Sequence, residues 1–357
     1  MKTIAYYISD YGYGHASRSI AIIRNLLIEP KVKVIICHSF ALSFLMKSLS
    51  TNRVKYRRIK TDIGYFLEKD SIQPNKEKLL NEYKDFIADW DYYFIHEREF
   101  LIREKVDLVI SDISPIPFEA ANSIGIPTIG ISNFTWYNAY QGLINEVELK
   151  PYKDAYQKMT YFYSLAGCQE RWNIKKREYG FFSREIENQE VKKIRRLVDP
   201  FNNKFVIFLG LGMKIDVGSL ELLPIWKSPN CSFLISSNID VNLPNLLRIP
   251  CNYLESQNYI AASDLVISKA GWGIVGEALI ARIPLLILNR PSMKEDQNTI
   301  NYLQKRHLCG TIDWDDFKAY QVDRFMYSNM KREMDINNLC NNNQAMNISS
   351  DILMEIF

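Results

Sequence analysis

The sequence contains no long hydrophobic run and almost no excess of charge, and both absences limit what the protein can be. No apolar stretch is long enough to span a bilayer, and Met1-Lys2-Thr3 leads directly into a strand pattern. We therefore expect neither a transmembrane helix nor a signal peptide. The 44 lysines and arginines nearly balance the 41 aspartates and glutamates, and the net charge of +3 gives no reason to expect a nucleic-acid partner.

Cysteine is scarce, and its spacing shows no pairing. The six cysteines form no CxxC pattern, and several occur in apolar, strand-like segments where cysteine behaves as a small hydrophobe. They are Cys37, Cys168, Cys231, Cys251, Cys309 and Cys340. This distribution predicts neither a zinc site nor a disulfide framework. We therefore expect a soluble, reduced, cytoplasmic protein with no bound metal.

Two short basic clusters interrupt the charge balance, at residues 53–58 and 192–196. Charged runs of this kind are usually solvated faces of ordinary helices or strands. A peripheral contact with a membrane surface or with an anionic acceptor is the alternative, and the sequence leaves it open.

The chain of 357 residues, 47% hydrophobic and 24% charged, has globular composition and is too long for one ordinary core. Short runs rich in Val, Ile, Tyr and Phe alternate with helical stretches, which is typical of parallel α/β units. We expect strands at 3–9, 32–38, 54–59, 107–111, 127–132, 159–164, 205–209, 232–236, 246–249, 265–269 and 284–289. We expect helices at 16–28, 76–104 and 348–357, the last after an asparagine-rich tail that starts at Asn337.

These patterns predict an α/β protein with two Rossmann-like, doubly wound domains that face each other across a cleft. We place the first domain at 1–180 and the second at 191–357. The linker at 181–190 lies in a polar, charged region that starts near residue 175. Whether the last helix packs back on the first domain stays open. In such sheets ligands bind at the carboxyl ends of the strands.

A glycine-containing turn directly follows the first strand and carries a histidine. The segment Asp10-Tyr11-Gly12-Tyr13-Gly14-His15 places His15 at or near the start of the next helix, because the glycines permit a sharp turn. A neutral imidazole at that position can take a proton from an attacking hydroxyl. The alternative is that His15 only caps the helix.

An acid ends a later buried strand of the same half. Asp112 closes the apolar run 106–111 and should lie at the same carboxyl edge as His15. A carboxylate there can fix the tautomer of the histidine and stabilise the imidazolium formed during proton transfer. Capping of a helix near residues 118–123 is the alternative role for Asp112.

A second glycine-rich turn connects a buried strand to a helix at residues 268–277, with Lys269, Gly271 and Gly273 in the turn and Glu277 one turn into the helix. Backbone N–H groups of such a turn close around a diphosphate, and the helix dipole favours the negative charge. Glu277 is placed to accept hydrogen bonds from both hydroxyls of a ribose. The pattern predicts a nucleotide-sugar pocket.

Two weaker signals accompany that turn. Gly210 and Gly212 follow another strand and could contact the distal phosphate or the sugar, although glycine turns are common in α/β folds. Asp296-Gln297 follows the strand after Glu277. An acid beside an amide can bracket two sugar hydroxyls, whereas helix N-capping is the structural alternative for Asp296.

Taken together, these motifs resemble the GT-B glycosyltransferases, especially the nucleotide-sugar-dependent family that includes the plant and macrolide enzymes. The donor box of that family reads HCGWNSxxE and is followed by a DQ pair, which align here with residues 269–277 and with Asp296-Gln297. The resemblance implies Glu277 on the ribose and Asp296 and Gln297 on the donor sugar. It implies further donor contacts from Gly14, Arg18, Gly210, Gly212, Lys269, Gly271, Trp272 and Gly273.

The resemblance also implies that His15 is the catalytic base and that Asp112 orients it. Parts of the sequence, including residues 133–136, look closest to the N-terminal half of plant arabinokinases and are also similar to the lipid II-forming transferase of peptidoglycan synthesis. Three positions depart from the donor pattern: Lys269 replaces the box histidine, Gly273 replaces the asparagine, and Met213 stands where a serine is common.

The expected activity is an inverting, metal-independent transfer of a hexose-type sugar from a nucleoside diphosphate to an acceptor hydroxyl. Uridine or deoxythymidine diphosphate is implied by the resemblance, with no further cofactor. The acceptor, whether a small molecule, a lipid-linked group or a glycan, stays open, as does the choice between monomer and homodimer. The alternatives are a nucleotide-sugar hydrolase like that of the pseudaminic-acid pathway, whose GxGH…R loop is similar to Gly12–Arg18 here, and a non-catalytic nucleotide-sugar-binding protein.

Overall fold

The computed structural model describes residues 1–69, 71–212, 220–323, 327 and 343–357. Met213 and residues 337–342, with Cys340 among them, lie outside this part of the chain. The chain forms two compact units. The first comprises Met1–Phe66, Pro74–Gly180 and Asn343–Phe357, and the second comprises Leu67–Gln73 and Phe181–Asn342.

The first unit is built on a seven-stranded sheet in which every neighbouring pair is parallel. Its strands are β1 (Lys2–Ile8), β2 (Val32–His38), β3 (Val54–Arg58), β4 (Leu108–Asp112), β5 (Thr128–Ser132), β6 (Tyr161–Leu165) and β7 (Lys175–Tyr179). Their order is β3-β2-β1-β4-β5-β6-β7. The order reverses between β1 and β4, which is the topological switch point where doubly wound sheets bind ligands.

Helices connect the strands of the first unit up to β6, whereas β6 and β7 are joined by the non-helical segment 166–174. The helices are α1 (Tyr13–Leu26), α2 (Leu42–Ser48), α3 (Lys76–Ala88), α4 (Trp90–Arg103), α5 (Ile116–Asn122), α6 (Trp136–Tyr140) and α7 (Lys150–Tyr156). One core cluster packs Ala5 and Tyr7 of β1 and Val109 of β4 against Phe100 and Leu101 of α4. This packing fixes the ends of β1 and β4 relative to each other.

The second unit repeats the same architecture with six parallel strands. They are β8 (Phe205–Gly210), β9 (Cys231–Ile235), β10 (Leu246–Arg248), β11 (Leu265–Lys269), β12 (Leu285–Asn289) and β13 (Cys309–Asp313), in the order β10-β9-β8-β11-β12-β13. The switch point lies between β8 and β11. Its described helices are α8 (Asn188–Val198), α9 (Gln257–Ala261), α10 (Trp272–Ile280), α11 (Lys294–Gln304) and α12 (Trp314–Lys318).

The predicted α/β class with two Rossmann-like domains is confirmed, while several elements differ from the prediction. The helix expected at 76–104 is two helices separated at Asp89, which ends α3 and precedes α4. The strands β7 and β13 were not predicted. Both lie at sheet edges and are polar or half-exposed, so they lack the apolar run that marks a central strand. No helix in the described ranges is long and apolar enough to cross a membrane.

The last helix, α13 (Gln344–Ile356), belongs to the first unit, the arrangement that the sequence left open for the end of the predicted domain 191–357. The Oγ of Ser349 donates to the carbonyl of Ile22 in α1 at 3.0 Å. The hydroxyl of Tyr179 donates to Asp351 at 2.5 Å, and Arg177 forms an ion pair with the same carboxylate. The charged stretch near 175, predicted as the approach to a linker, is therefore an edge strand held by α13.

We predict that the docking of α13 contributes measurably to the stability of the first unit. Ile352 is fully buried and Met354, on the same helix, is 66% exposed. Ile352→Ala should lower the free energy of unfolding by about 2–5 kcal/mol, because it leaves a cavity in packed surroundings. Met354→Ala, the matched control, should change it by less than about 0.5 kcal/mol. Urea denaturation of both variants checks this, and equal effects would contradict the packing described.

Candidate active site

The switch point of the first sheet brings His15 and Asp112 together. Ile8 at the end of β1 is in register with Asp112 at the end of β4. The chain leaves β1 through Gly12, whose φ of 86° lies in the left-handed region that favours glycine, and α1 starts at the next residue. His15 therefore stands in the first turn of α1, one residue after the exposed Gly14.

The imidazole of His15 contacts the carboxylate of Asp112 directly. Their Nδ1 and Oδ1 atoms are 3.0 Å apart, Asp112 is fully buried and His15 is 8% exposed. With Nδ1–H donating to Asp112, the ring carries its basic lone pair on Nε2. Neither alternative role holds: α1 and α5 have Gly12 and Pro115 at their N-caps, without a side-chain cap bond.

Arg18 completes this cluster from the next turn of α1. Its Nε donates to Asp112 Oδ2 at 2.8 Å, and its Nη2 donates to Oδ1 of the same carboxylate. Nη2 also lies 2.9 Å from His15 Nδ1. With both nitrogens carrying hydrogens, Asp112 Oδ1 is the acceptor that they share. Nη1 donates to Asn133 Oδ1 at 2.8 Å, after β5. The sequence placed Arg18 on the donor side, whereas the structure buries its guanidinium against Asp112.

The arginine also determines the charge state of the acid. Burial by itself would raise the pKa of Asp112, but the positive charge of Arg18 and the interaction with His15 lower the pKa below its usual value. Asp112 is therefore an ionised carboxylate at neutral pH. An ionised carboxylate can hold the Nδ1–H tautomer of His15 and can balance the charge of an imidazolium.

The loop that carries His15 is anchored by Asp10, a role that sequence reasoning missed. The Asp10 carboxylate accepts hydrogen bonds from the backbone N–H groups of Ser39, Phe40 and Thr61 at 2.8–3.0 Å. It also pairs with His38 Nδ1 at 2.9 Å. Asp10, like Asp112, is an acid that follows a buried strand. Its role here is structural, because it holds the loop in place.

Aromatic side chains form a wall beside the histidine. The ring of Phe134 lies 6.0 Å from that of His15, and Trp136 lies 5.4 Å from Phe134, both edge-to-face. The rings of Tyr11 and Tyr65 in turn contact the ring of Trp136 edge-to-face. On α3, the rings of Tyr83 and Phe86 are buried.

A buried carboxyl group, Asp62, lies among these groups. Burial, and then the negative charge of Asp10, raise its pKa to about 7, while interactions with Trp136, Ser9 and His38 oppose the shift. Among the described residues neither carboxyl oxygen finds a hydrogen-bond partner of acceptable geometry. Sequence gave no signal for Asp62, because an acid in a loop is normally solvated.

We predict that Asp62 makes the protein less stable as the pH rises from about 4 to about 7. In this window the unfolded carboxyl group has lost its proton and the folded one retains it, so stability falls by at most about 1.4 kcal/mol per pH unit from this group. Asp62→Asn should flatten the pH dependence of urea denaturation, whereas Asp91→Asn, at an exposed position, should leave it unchanged. An unaltered slope in the Asp62 variant would contradict the raised pKa.

The switch point of the second sheet brings the two predicted glycine turns together. Gly210 at the end of β8 is in register with Ser268, one residue before the end of β11. The side chain of Lys269 lies over both turns: a Cβ on Gly212 would be 2.9 Å from Lys269 Cε, and one on Gly271 would be 3.5 Å from the same atom. The same Cβ on Gly212 would be 3.6 Å from Lys269 Nζ, so the ammonium group lies at the turn after β8, and its stem passes beside Gly271, the N-cap of α10.

Glu277 is held by an arginine that sequence reasoning also missed. Arg184 Nη2 donates to Glu277 Oε1 at 2.9 Å and to Ser256 Oγ at 3.0 Å, and Glu255 lies 3.6 Å from Nη1. Burial raises the pKa of Glu277, and the charge of Arg184 opposes this shift. One carboxylate oxygen is thus held by Arg184, and Oε2 makes no hydrogen bond within the described ranges. Arg184 is 93 residues away in sequence, so no local pattern connects the two.

Two residues of the predicted box pack inside the unit. Trp272 stacks on Phe181 with ring centroids 5.0 Å apart and contacts Phe182 edge-to-face. Gly273 is buried in the first turn of α10. Gly276 has a packing reason as well, since a Cβ there would lie 2.7 Å from the carbonyl oxygen of Phe182. Burial of Trp272 gives its side chain a structural role here, beside the donor contact that the resemblance implies.

The two residues of the predicted acid–amide pair, Asp296 and Gln297, differ in burial. Arg290 donates to both oxygens of Asp296, at 2.6 and 2.8 Å, and both side chains are about 2% exposed. Gln297 is half-buried and donates to Asn289 Oδ1 at 2.8 Å. Asp296 does not cap α11, which has Met293 at its N-cap. The structure thus leaves Gln297 as the more accessible member of the pair.

Two Asp-Trp-Asp triplets, at 89–91 and 313–315, have alternating acids. Within the described ranges, no three side chains of His, Cys, Asp or Glu come close enough to hold a metal ion. The expectation of metal-independent chemistry stays a prediction.

Comparison with known proteins gives one curated relative and many structural neighbours. The chain matches no protein-family model. It is 24% identical over 317 residues to L-arabinokinase of Arabidopsis thaliana, covering 86% of this chain. The chain spans only 30% of the length of that relative, so the similarity concerns one part of a longer protein.

Solved glycosyltransferases match over nearly the whole chain. The glycosyltransferase SnogD of Streptomyces nogalater has a TM-score of 0.58 at 11% identity, covering 100% of both chains. UGT89C1 of Arabidopsis thaliana, complexed with UDP, has a TM-score of 0.60 at 12% identity, covering 100% of this chain and 95% of its own. The spinosyn forosaminyltransferase SpnP reaches 0.64 at 10% identity, covering 99% of both. The fold is that of the GT-B glycosyltransferases. At these identities the likeness extends to the fold alone.

Proposed function

We propose that this protein is an inverting, metal-independent glycosyltransferase that moves a sugar from a nucleoside diphosphate to an acceptor hydroxyl. The observation that carries the proposal is the His15–Asp112–Arg18 cluster at the switch point of a GT-B fold. A buried, ionised carboxylate fixes an imidazole whose other nitrogen can serve as a base. Such a pair has the chemistry that deprotonation of an alcohol requires.

The donor nucleotide is assigned to the second unit. Lys269 and the turns of Gly212 and Gly271 supply a positive charge and backbone N–H groups at the start of α10, which suits a diphosphate. Glu277 Oε2 remains available to accept hydrogen bonds from ribose hydroxyls while Oε1 is held by Arg184. UDP or deoxythymidine diphosphate is the proposed carrier, and the UDP complex of UGT89C1 supports the first.

The proposed step is a single displacement. The acceptor oxygen forms a bond to the anomeric carbon as its proton passes to His15 Nε2, and the bond from that carbon to the diphosphate oxygen breaks. Attack opposite the leaving group inverts the anomeric configuration. The imidazolium charge is balanced by Asp112, and the charge that develops on the diphosphate is stabilised by Lys269 and the N–H groups of α10.

The first test is calorimetric titration of the full chain with UDP and deoxythymidine diphosphate. Glu277→Gln retains an acceptor for Arg184 but removes the charge, so we expect it to weaken nucleotide binding about 10- to 100-fold, as loss of charged hydrogen bonds does. Asp240→Asn, at a fully exposed position of the same unit, is the control and should bind normally. Failure of the wild-type protein to bind either nucleotide would refute the donor assignment.

The second test separates binding from chemistry. His15→Ala should lower donor turnover about 10²- to 10⁴-fold, the usual contribution of a general base, while nucleotide affinity stays within about twofold because His15 and the nucleotide turns belong to different units. His96→Ala, an exposed histidine, should retain full turnover. Analysis of the products distinguishes transfer to an acceptor from hydrolysis by water. Full activity of His15→Ala would exclude it as the base.

A further inference from the structure

The first unit contains a pocket that none of the roles above uses. Its volume is about 610 Å³, which lies in the size range of small-ligand sites. Its walls include two aromatic residues, Tyr137 and Trp172, two amides, Asn138 and Asn173, and two cations, Lys153 and Arg171. The lining is therefore both polar and aromatic.

One wall of the pocket lies near the carboxyl edge of the sheet, where His15 also stands. Tyr137 and Asn138 belong to α6, which follows β5, and Trp172 and Asn173 belong to the segment that follows β6. The helix α6 thus starts near the carboxyl end of β5, and residues 166–174 run from the carboxyl end of β6 to the start of β7. From β1 to β6 the sheet has three strand-to-strand steps, so the ends of these two strands lie roughly 14 Å apart.

The charge of this pocket is positive, although an acid also contributes to its wall. The carboxylate of Glu170 accepts hydrogen bonds from Thr135 N at 2.5 Å, Thr135 Oγ1 at 2.6 Å and Trp172 Nε1 at 3.1 Å. These bonds tie the carboxylate to the protein. Within the described ranges neither Lys153 nor Arg171 forms an ion pair, and both are exposed.

The aromatic pair offers a surface that suits a sugar ring. Tyr137 and Trp172 meet edge-to-face with centroids 5.8 Å apart, and the Lys153 ammonium lies 5.8 Å from the centre of the Tyr137 ring. The C–H face of a pyranose packs on such rings, while neighbouring amides satisfy its hydroxyls. A cation beside the aromatic surface adds a partner for an anionic group on the same sugar.

One chain of contacts connects the pocket to the histidine. Glu170 binds Trp172 in the wall and Thr135 at the N-cap of α6. Thr135 directly follows Phe134, whose ring contacts His15. The wall of the pocket and the aromatic wall beside His15 are therefore parts of one ordered segment.

We infer that this pocket binds an anionic saccharide, and that it holds the far end of an elongated acceptor whose reacting hydroxyl lies at His15. The acceptor part of this inference depends on the proposed function. A single sugar ring is too short to occupy both places, so the acceptor contains more than one ring. A carboxylate or a phosphate on its distal sugar would pair with Lys153 and Arg171.

The test uses three matched probes and the full chain without a donor: cellobiose, cellobiouronic acid and cellobiose bearing a phosphate on the same ring. Calorimetric titration should show at least tenfold tighter binding of one charged disaccharide than of cellobiose. The stronger of the two charged probes identifies the anionic group. Because no nucleotide or turnover is involved, this result is independent of the two tests of the proposed function.

A double variant, Lys153→Gln with Arg171→Gln, should abolish the preference for charge and leave nucleotide binding unchanged. Lys158→Gln is the matched control, since Lys158 is exposed nearby and does not line the pocket. Equal binding of charged and neutral probes, no binding of any probe, or an unchanged preference in the double variant would each overturn the inference. The melting temperature of each variant shows whether it is still folded.

Discussion

The buried ion pair between Asp112 and Arg18 is the interaction on which the first site depends. A fully buried carboxylate is strongly disfavoured unless charged and hydrogen-bonding partners compensate it. Arg18 supplies two hydrogen bonds to it, and Asn133 and Ser132 hold the guanidinium from the end of β5. The pair thus joins α1, β4 and the end of β5. His15 is placed on this framework.

Buried acid–arginine pairs also occur in the second unit. Glu277 is held by Arg184, and Asp296 is held by Arg290 on both oxygens. All three acids that the sequence marks as site residues are therefore paired with arginines in the interior. Breaking a buried pair by removing one partner typically costs about 3–5 kcal/mol. A simple loss of activity in variants of these arginines would therefore not distinguish a chemical role from a structural one.

The sequence predicted what depends on local pattern. Central strands, the glycine turns and the proximity of His15 and Asp112 follow from apolar runs and from the rule that parallel strands end at one edge. It could not predict Arg184, because the contact with Glu277 joins residues far apart in the chain, nor Asp62, whose burial depends on tertiary packing. Edge strands β7 and β13 were missed because they carry no apolar run, and the split of 76–104 at Asp89 has no proline or glycine to mark it.

Backbone strain beside Asp112 supports the view that its position is specifically maintained. Ile113 has a φ of 63°, a conformation that costs a β-branched residue roughly 1–3 kcal/mol. Its carbonyl accepts a hydrogen bond from Tyr156 OH at 2.5 Å, and Ser111 Oγ donates to the carbonyl of Ser114 at 2.8 Å. The strained turn allows the chain to leave β4 immediately after Asp112. A glycine at this position would avoid the cost. The chain has isoleucine there, and the surrounding hydrogen bonds hold it in the strained conformation, which keeps the Asp112 carboxylate beside His15.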